Sequence, residues 1–141
     1  MTATRTAPIL VIGLGCRRGC SAQALRALIE QSLARAGLTL DGVQALASID
    51  LKRDEPGLVQ LAAQLGLELE VFSAAQLDRY APQLSHHSAI AYEQTGCFGI
   101  AESAALALAE QLAGTPASLL VTRQHTAEAT FALACARQNP R

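Results

Sequence analysis

The chain has few aromatic side chains: Phe, Tyr and Trp make up 4% of its 141 residues, and Trp is absent. Proteins that bind single-stranded nucleic acid stack the bases on aromatic side chains, and this sequence cannot supply such a platform. A basic surplus is also missing, because 11 basic and 12 acidic side chains give a formal net charge of -1. Nucleic-acid-binding domains usually carry a basic patch or stripe. We therefore expect no nucleic-acid partner.

Long apolar segments are missing as well. The apolar run at residues 9–14 is too short for the core of a signal peptide or for a membrane span. The cysteines form no dense disulfide framework; they are Cys16, Cys20, Cys97 and Cys135. Reduced thiols and the lack of a targeting segment predict a cytoplasmic protein without a membrane partner.

What the sequence has in abundance is Ala and Leu. Half of the residues are apolar and 16% are charged, a composition that excludes intrinsic disorder. A chain of this length buries roughly two-thirds of its unfolded surface, so it can form a core without disulfides or metals. Residues 1–141 are predicted to form one domain, with a core from about 9 to 135.

Hydrophobic periodicity predicts strands that alternate with helices. The predicted strands are 9–13, 43–49, 67–71, 118–122 and 129–134, and the predicted helices follow Ser21, Glu55, Ser73 and Gly99. The segment 67–71 alternates strictly, which indicates an edge strand with one solvated face, whereas 83–95 is predicted as a loop. This order predicts an α/β fold, a three-layer α/β/α sandwich with a mixed, mainly parallel sheet and a C-terminal antiparallel hairpin.

A glycine-rich segment after the first strand is the first candidate binding site. Ligands of such sheets bind beyond the carboxyl ends of the strands, and backbone N–H groups at a helix N-terminus favour anions. Arg17 and Arg18 add guanidinium groups that match carboxylate or phosphate. The alternative is a structural turn with solvated arginines. The predicted ligand-binding residues here are Gly13, Gly15, Cys16, Arg17, Arg18, Gly19 and Ser21.

A charged segment follows the second predicted strand. Asp50 and Lys52 lie just past the strand end, and Glu55 precedes a helix. Lys52 is expected to face the ligand, while Asp50 or Glu55 orients the ligand or acts as a base. The alternative is a solvated loop with helix-capping acids.

Two further segments complete the candidate site. Gly96 and Glu102 flank the start of a helix, which is either a second anion-binding terminus or a helix dipole complemented by Glu102. Arg123 and His125 share one face of a predicted strand. A hairpin end could present both to the same cleft, or both could face solvent.

Metal binding and cofactors are not expected. Cys16 and Cys20 have a C-x₃-C spacing, which is unusual for zinc, and no second pair follows. His86 and His87 are adjacent in a predicted loop, where such pairs are usually solvated. A cysteine nucleophile with a histidine partner, for example Cys16 with His125, stays an alternative.

Three motifs resemble the CobE family, the stand-alone form of the C-terminal domain of CbiG, a cobalamin-biosynthesis protein. They are Gly-Leu-Gly-Cys-Arg-Arg-Gly at 13–19, Ile-Asp-Leu-Lys at 49–52 with Asp-Glu-Pro-Gly-Leu at 54–58, and Gly-Ile-Ala-Glu-Ser-Ala-Ala at 99–105. The resemblance extends over about residues 9–135. One departure is Thr-Arg-Gln-His at 122–125, where the family often has Pro-Lys-x-Lys.

The resemblance implies a function in cobalamin biosynthesis, on corrin-ring precursors near the ring-contraction stage. The protein would bind an anionic, polycarboxylate tetrapyrrole as an accessory or carrier protein. Arg17, Arg18, Lys52 and Arg123 would pair with the carboxylates, and Phe98 would contact the macrocycle.

Two alternatives to this carrier function stay open. CbiG proteins open a precursor lactone and release a two-carbon aldehyde, but that activity belongs to the fused protein, whose N-terminal part has no counterpart here. A hydrolase would need Asp50 or Glu55 to activate water. A docking module for other enzymes of the pathway would need a large exposed apolar patch.

Overall fold

Five strands form one mixed sheet. The computed structural model describes residues 8–96 and 99–138, and its strands are β1 (Ile9–Cys16), β2 (Val43–Ile49), β3 (Glu68–Phe72), β4 (Ser118–His125) and β5 (Ala129–Ala136). Their order across the sheet is β3-β2-β1-β5-β4. The first three strands are parallel, and β5 is antiparallel to both β1 and β4. The predicted mixed sheet with a C-terminal hairpin is confirmed.

Helices cover both faces of this sheet. They are α1 (Ala22–Arg35), α2 (Pro56–Leu65), α3 (Ala74–Asp78), α4 (Ala89–Thr95) and α5 (Ile100–Ala113), with short 3₁₀ turns at Asp50–Lys52 and Ala81–Gln83. One face packs on α1 and α2, and the other packs on α5, which also contacts α3. The predicted three-layer arrangement is therefore confirmed. None of the helices within residues 8–96 and 99–138 is long and apolar enough to cross a membrane.

Local sequence signals determine several of these helix starts. The Ser21 hydroxyl accepts a hydrogen bond from the Ala24 N–H at 3.0 Å and caps α1. Ser73 and Gln76 form a reciprocal capping box at α3. Both caps agree with the sequence prediction, because a capping side chain needs only neighbours within one turn.

Strand β1 is longer than predicted. The sequence suggests that Gly13 and Gly15 break the strand, but β1 pairs with β5 continuously from Ile9 opposite Ala136 to Cys16 opposite Ala129. Gly13 is required by α5, which lies directly on this part of the strand. A Cβ atom at Gly13 would lie 1.8 Å from the Ala101 carbonyl oxygen.

The segment 83–95 is not the loop that the sequence predicts. It contains helix α4, whose N-terminus is capped by the Ser88 hydroxyl and whose C-terminus ends at Gly96 in the left-handed conformation. Ile90 on this helix is 68% exposed. Because α4 lies on the surface, it lacks the apolar periodicity by which a helix is recognised in a sequence.

The exposure of β3 agrees with the sequence prediction, whereas that of one residue on α5 does not. The expected edge strand is confirmed, since β3 is the outermost strand and its Glu68 and Glu70 side chains are exposed. The helical spacing of Ala104, Leu108 and Leu112 predicts one buried face of α5, but Leu112 is exposed. In the last turn of the helix the next residue, Ala113, is buried in its place.

Candidate functional site

A cleft of about 830 Å³ opens beyond the carboxyl ends of β1 and β2. The topology brings several segments to this edge. Parallel strands end on the same side of the sheet, and the β4–β5 turn lies there too because β5 runs antiparallel to β1. The predicted site residues that line the cleft are Gly15, Cys16, Arg17, Arg18, Lys52, Glu55, Glu102 and Arg123.

Four cationic side chains line this cleft. Arg17 and Arg18 come from the turn after β1, Lys52 from the 3₁₀ turn after β2, and Arg123 from β4. Among the residues that the structure describes, no carboxylate forms an ion pair with any of the three arginines. Arginines that line a cleft without an ion-pair partner raise the local positive potential and favour an anionic ligand.

The buried carboxylate Glu102 is occupied by hydrogen bonds from the protein. Its side chain is 1% exposed and accepts hydrogen bonds from the Ser85 N–H at 2.8 Å, the Ser85 hydroxyl at 2.5 Å and the Arg123 N–H at 2.8 Å. These bonds connect the start of α5 to the 84–88 segment and to β4. Glu102 therefore does more than complement the dipole of α5: it fixes the backbone from which Arg123 projects.

Glu55 connects two walls of the cleft. Its Oε2 accepts a hydrogen bond from the Gly19 N–H at 2.9 Å, and its Oε1 lies 3.8 Å from the Lys52 ammonium. A third carboxylate, Glu128, lies on the exposed rim. The cleft thus combines four cations with three carboxylates, two of which are engaged by other parts of the chain.

Part of the cleft surface is apolar. Leu51 is 65% exposed, and Ala91, Ile100 and Ala101 contribute further carbon surface. An exposed leucine beside a cluster of cations suits a ligand that has both an apolar body and anionic groups.

Cys16 lines this cleft, and its thiol is held in the protonated form. Burial raises the pKa of Cys16 to about 11, and the nearby Lys52 only partly offsets this effect. The proposed histidine partner, His125, does not line the cleft. The thiolate is the nucleophilic form of cysteine. The raised pKa and the position of His125 therefore argue against nucleophilic catalysis by Cys16.

We predict that iodoacetamide alkylates Cys16 at least tenfold more slowly in the folded protein than in the urea-unfolded protein at pH 8, because a raised pKa leaves little thiolate. Trypsin cleaves after Arg17 and Arg18, so mass spectrometry of the peptides separates Cys16 from Cys20. Equal rates in the folded and unfolded protein would show that the thiol is activated or freely exposed.

Several predicted residues lie outside the cleft lining. Gly13 is within β1 beneath α5, and Ser21 uses its hydroxyl to cap α1. Gly19 has a positive φ of 83° and donates its N–H to Glu55. These residues shape the turn that carries Arg17 and Arg18.

Three further predicted site residues lie at the ends of secondary-structure elements, outside the cleft lining. Asp50 begins the 3₁₀ turn after β2, Gly96 ends α4, and His125 ends β4. None of these three lines the cleft. The register of β4 against β5 is irregular between Val121 and Gln124. This irregularity disturbs the regular alternation of side chains along β4, on which the predicted common face of Arg123 and His125 depends. Phe98 lies outside the described residues.

Two segments contribute cleft residues that were not predicted. The β4–β5 turn, whose place at the cleft the predicted hairpin allowed, contributes Thr126 and Glu128, and the segment at α4 contributes Ser88 and Thr95. The turn residues could have been named, because a hairpin whose second strand is antiparallel to β1 must turn at the carboxyl end of β1. No comparable sequence signal indicates α4.

Metal-ligand clusters are not found among the described residues: none of their His, Cys, Asp and Glu side chains form a group of three or more suited to a metal ion. The adjacent histidines have hydrogen-bonding neighbours instead. His86 Nδ1 lies 3.0 Å from the Ser85 hydroxyl, and His87 Nε2 lies 2.8 Å from the Ala81 carbonyl oxygen.

Comparison with known proteins finds a family and relatives whose names and descriptions point to cobalamin synthesis. The family described as "Cobalamin synthesis G C-terminus" matches residues 10–134. A protein of Sinorhizobium sp named "Protein CobE" is 37% identical over 93% of this chain and 82% of its own length. A crystal structure of CobE, described as a protein from the cobalamin (vitamin B12) biosynthetic pathway, superposes with a TM-score of 0.91 at 47% identity, covering 96% of this chain and 98% of that one.

A longer relative matches over part of its length. The cobalt-precorrin-5A hydrolase of Priestia megaterium is 37% identical over 70% of this chain, but the match covers 26% of the hydrolase. This chain therefore corresponds to about a quarter of that enzyme.

Proposed function

Because this chain belongs to the cobalamin synthesis G C-terminus family, and is thus a cobalamin-biosynthesis protein of the CobE and CbiG C-terminal type, we propose that its cleft binds a polycarboxylate corrin-ring precursor. The step is near ring contraction, and the protein acts there as an accessory or carrier protein. Other enzymes of the pathway would deliver the precursor to the cleft or receive it from there.

The observation that carries this proposal is the convergence of four cations on one partly apolar cleft. Arg17, Arg18, Lys52 and Arg123 come from three separate parts of the sequence. Corrin precursors carry carboxylates around a large apolar ring, so guanidinium and ammonium groups can pair with the rim while Leu51 and Ile100 contact the ring. The cleft volume of about 830 Å³ is within the range of small-molecule sites.

Two of the three carboxylates that line the cleft are engaged by the protein, and the third, Glu128, lies on the solvent-exposed rim; this arrangement favours binding over hydrolysis. A general base must be within hydrogen-bond reach of the water that it activates. Glu102 already accepts three hydrogen bonds, Glu55 is held by Gly19 and Lys52, and Asp50 does not line the cleft. We infer that the chain holds or transfers its ligand without converting it.

Incubation with purified corrin precursors tests this proposal. We expect the precursor's absorbance spectrum to change on binding, because the ring leaves water for a partly apolar cleft, while its mass stays the same. A mass change would identify the protein as an enzyme and favour lactone hydrolysis. If no precursor changed the spectrum or co-eluted with the protein, the binding function would be wrong.

A further inference from the structure

Glu55 occupies an unusual position for a residue that precedes a helix. It is the N-cap residue of α2, but its side chain makes no capping hydrogen bond to that helix. The carboxylate instead reaches the Gly19 N–H, 36 positions away in the sequence. The start of α2 also packs tightly on the turn before α1, since a Cβ atom at Gly57 would lie 2.0 Å from the Cys20 carbonyl oxygen.

The Gly19 hydrogen bond restrains the turn that carries the two arginines. Gly19 has a left-handed backbone conformation, and it directly follows Arg17 and Arg18. The same turn is fixed at its other end by a backbone hydrogen bond from the Arg17 N–H to the Glu128 carbonyl at 2.9 Å. The turn itself is closed by a hydrogen bond from the Cys20 N–H to the Arg17 carbonyl oxygen at 3.1 Å. Glu55 thus supplies a side-chain bond that holds this turn at the cleft.

The second oxygen of Glu55 has a looser contact. The distance of 3.8 Å between Glu55 Oε1 and Lys52 Nζ indicates charge attraction but is too long for a hydrogen bond. The Lys52 side chain is only 20% exposed, and within the described residues its ammonium group has no hydrogen-bond acceptor. Its donors are therefore available to a carboxylate of the ligand.

We propose that Glu55 is a positioning residue with two opposing effects on precursor binding. Its Oε2 holds the Gly19 turn so that Arg17 and Arg18 face the ligand, which strengthens binding. Its negative charge lies beside Lys52 in the empty cleft. A ligand carboxylate must therefore compete with Glu55 for the Lys52 ammonium group, which weakens binding. This inference rests on the proposed function of the cleft.

Two substitutions separate the two effects. Glu55→Gln removes the charge but keeps an oxygen that can accept from the Gly19 N–H, and we expect it to bind the precursor about fivefold more tightly than the wild type. Glu55→Ala removes both charge and acceptor, and we expect it to bind about tenfold more weakly than Glu55→Gln. Glu68→Gln is the matched control, because it removes the same charge from an exposed side chain at the start of β3, outside the cleft lining, and should change affinity less than twofold.

The measurement is a titration with uroporphyrin, a stable polycarboxylate tetrapyrrole, followed by its absorbance, with the uncharged methyl ester of the same ring as a second probe. We expect the tightening by Glu55→Gln with the acid and not with the ester. Melting curves show whether each variant is folded at the temperature of the titration.

The outcomes distinguish the two proposals. Failure of the wild type to bind uroporphyrin at low salt would overturn the binding function and this inference together. Binding by the wild type with weaker binding by Glu55→Gln would overturn the competing effect of the charge. Equal affinities of the Gln and Ala variants would overturn the positioning effect. Equal tightening by Glu68→Gln would overturn the local effect of the Glu55 charge, because the loss of any negative charge would then strengthen binding.

Discussion

Replacing both Arg17 and Arg18 by alanine is expected to weaken binding of a corrin precursor about a hundredfold, or on the order of 3 kcal/mol, because two charge-assisted contacts are removed. The two guanidinium groups line the cleft and have no carboxylate partner among the described residues. They supply half of the cationic side chains at the site. The double substitution therefore removes half of the positive charge that the protein offers to the ligand.

The same double variant should stay folded. Both arginine side chains are exposed, and exposed charged groups contribute little to the free energy of unfolding, at most about 1 kcal/mol for the pair. The backbone bond from the Arg17 N–H to Glu128 does not depend on the side chain. A large loss of affinity without a large change in melting temperature therefore assigns the arginines to binding.

The experiment is a precursor titration at two salt concentrations, together with a melting curve. Salt should weaken binding by the wild type more than by the variant, because screening acts on the contacts that were removed. The matched control is Arg35→Ala with Arg137→Ala, which removes equal charge at the opposite edge of the sheet, where α1 and β5 end. Equal affinity and equal melting temperature for the Arg17 and Arg18 variant would mean that the turn binds no anion.

The parts of the fold that the sequence predicts correctly depend on short-range signals. Ser21 and Ser73 identify helix starts because each caps an N–H group three residues away. The alternation around Glu68 and Glu70 identifies an edge strand, since one face of β3 is exposed. The position of the cleft follows from the rule that strand carboxyl ends meet at one edge of a sheet.

The parts that the sequence does not predict depend on long-range contacts. Glycines usually interrupt strands, and nothing near Gly13 in the sequence indicates that β5 pairs with it or that α5 packs on it. The bonds from Glu102 to Ser85 and Arg123 span 17 and 21 positions. A residue that looks like a ligand contact in the sequence can therefore have its hydrogen-bonding capacity occupied within the fold.

Gly13→Ala is expected to lower the free energy of unfolding by about 3 kcal/mol or more, since overpacking against rigid backbone exceeds the usual cost of an added methylene. A Cβ atom there would lie 1.8 Å from the Ala101 carbonyl oxygen and 2.8 Å from the Ala105 nitrogen. Both are backbone atoms of α5, so the whole helix would have to move away from β1. Thermal unfolding should show a melting temperature lower by about 10 °C or more.

Gly15→Ala is the matched control for this prediction, because it adds the same methyl group two residues further along β1. Its Cβ atom would be nearest to the Thr130 hydroxyl at 2.7 Å, a side-chain atom that can rotate away, and the expected loss is about 1 kcal/mol or less. Similar melting temperatures for the two variants would contradict the close packing of α5 on β1. Weaker precursor binding by Gly13→Ala at an unchanged melting temperature would instead make Gly13 a ligand-binding residue, as its place in the glycine-rich motif first suggests. The ratio of lost stability to lost affinity thus separates a glycine that the helix requires from one that the ligand requires.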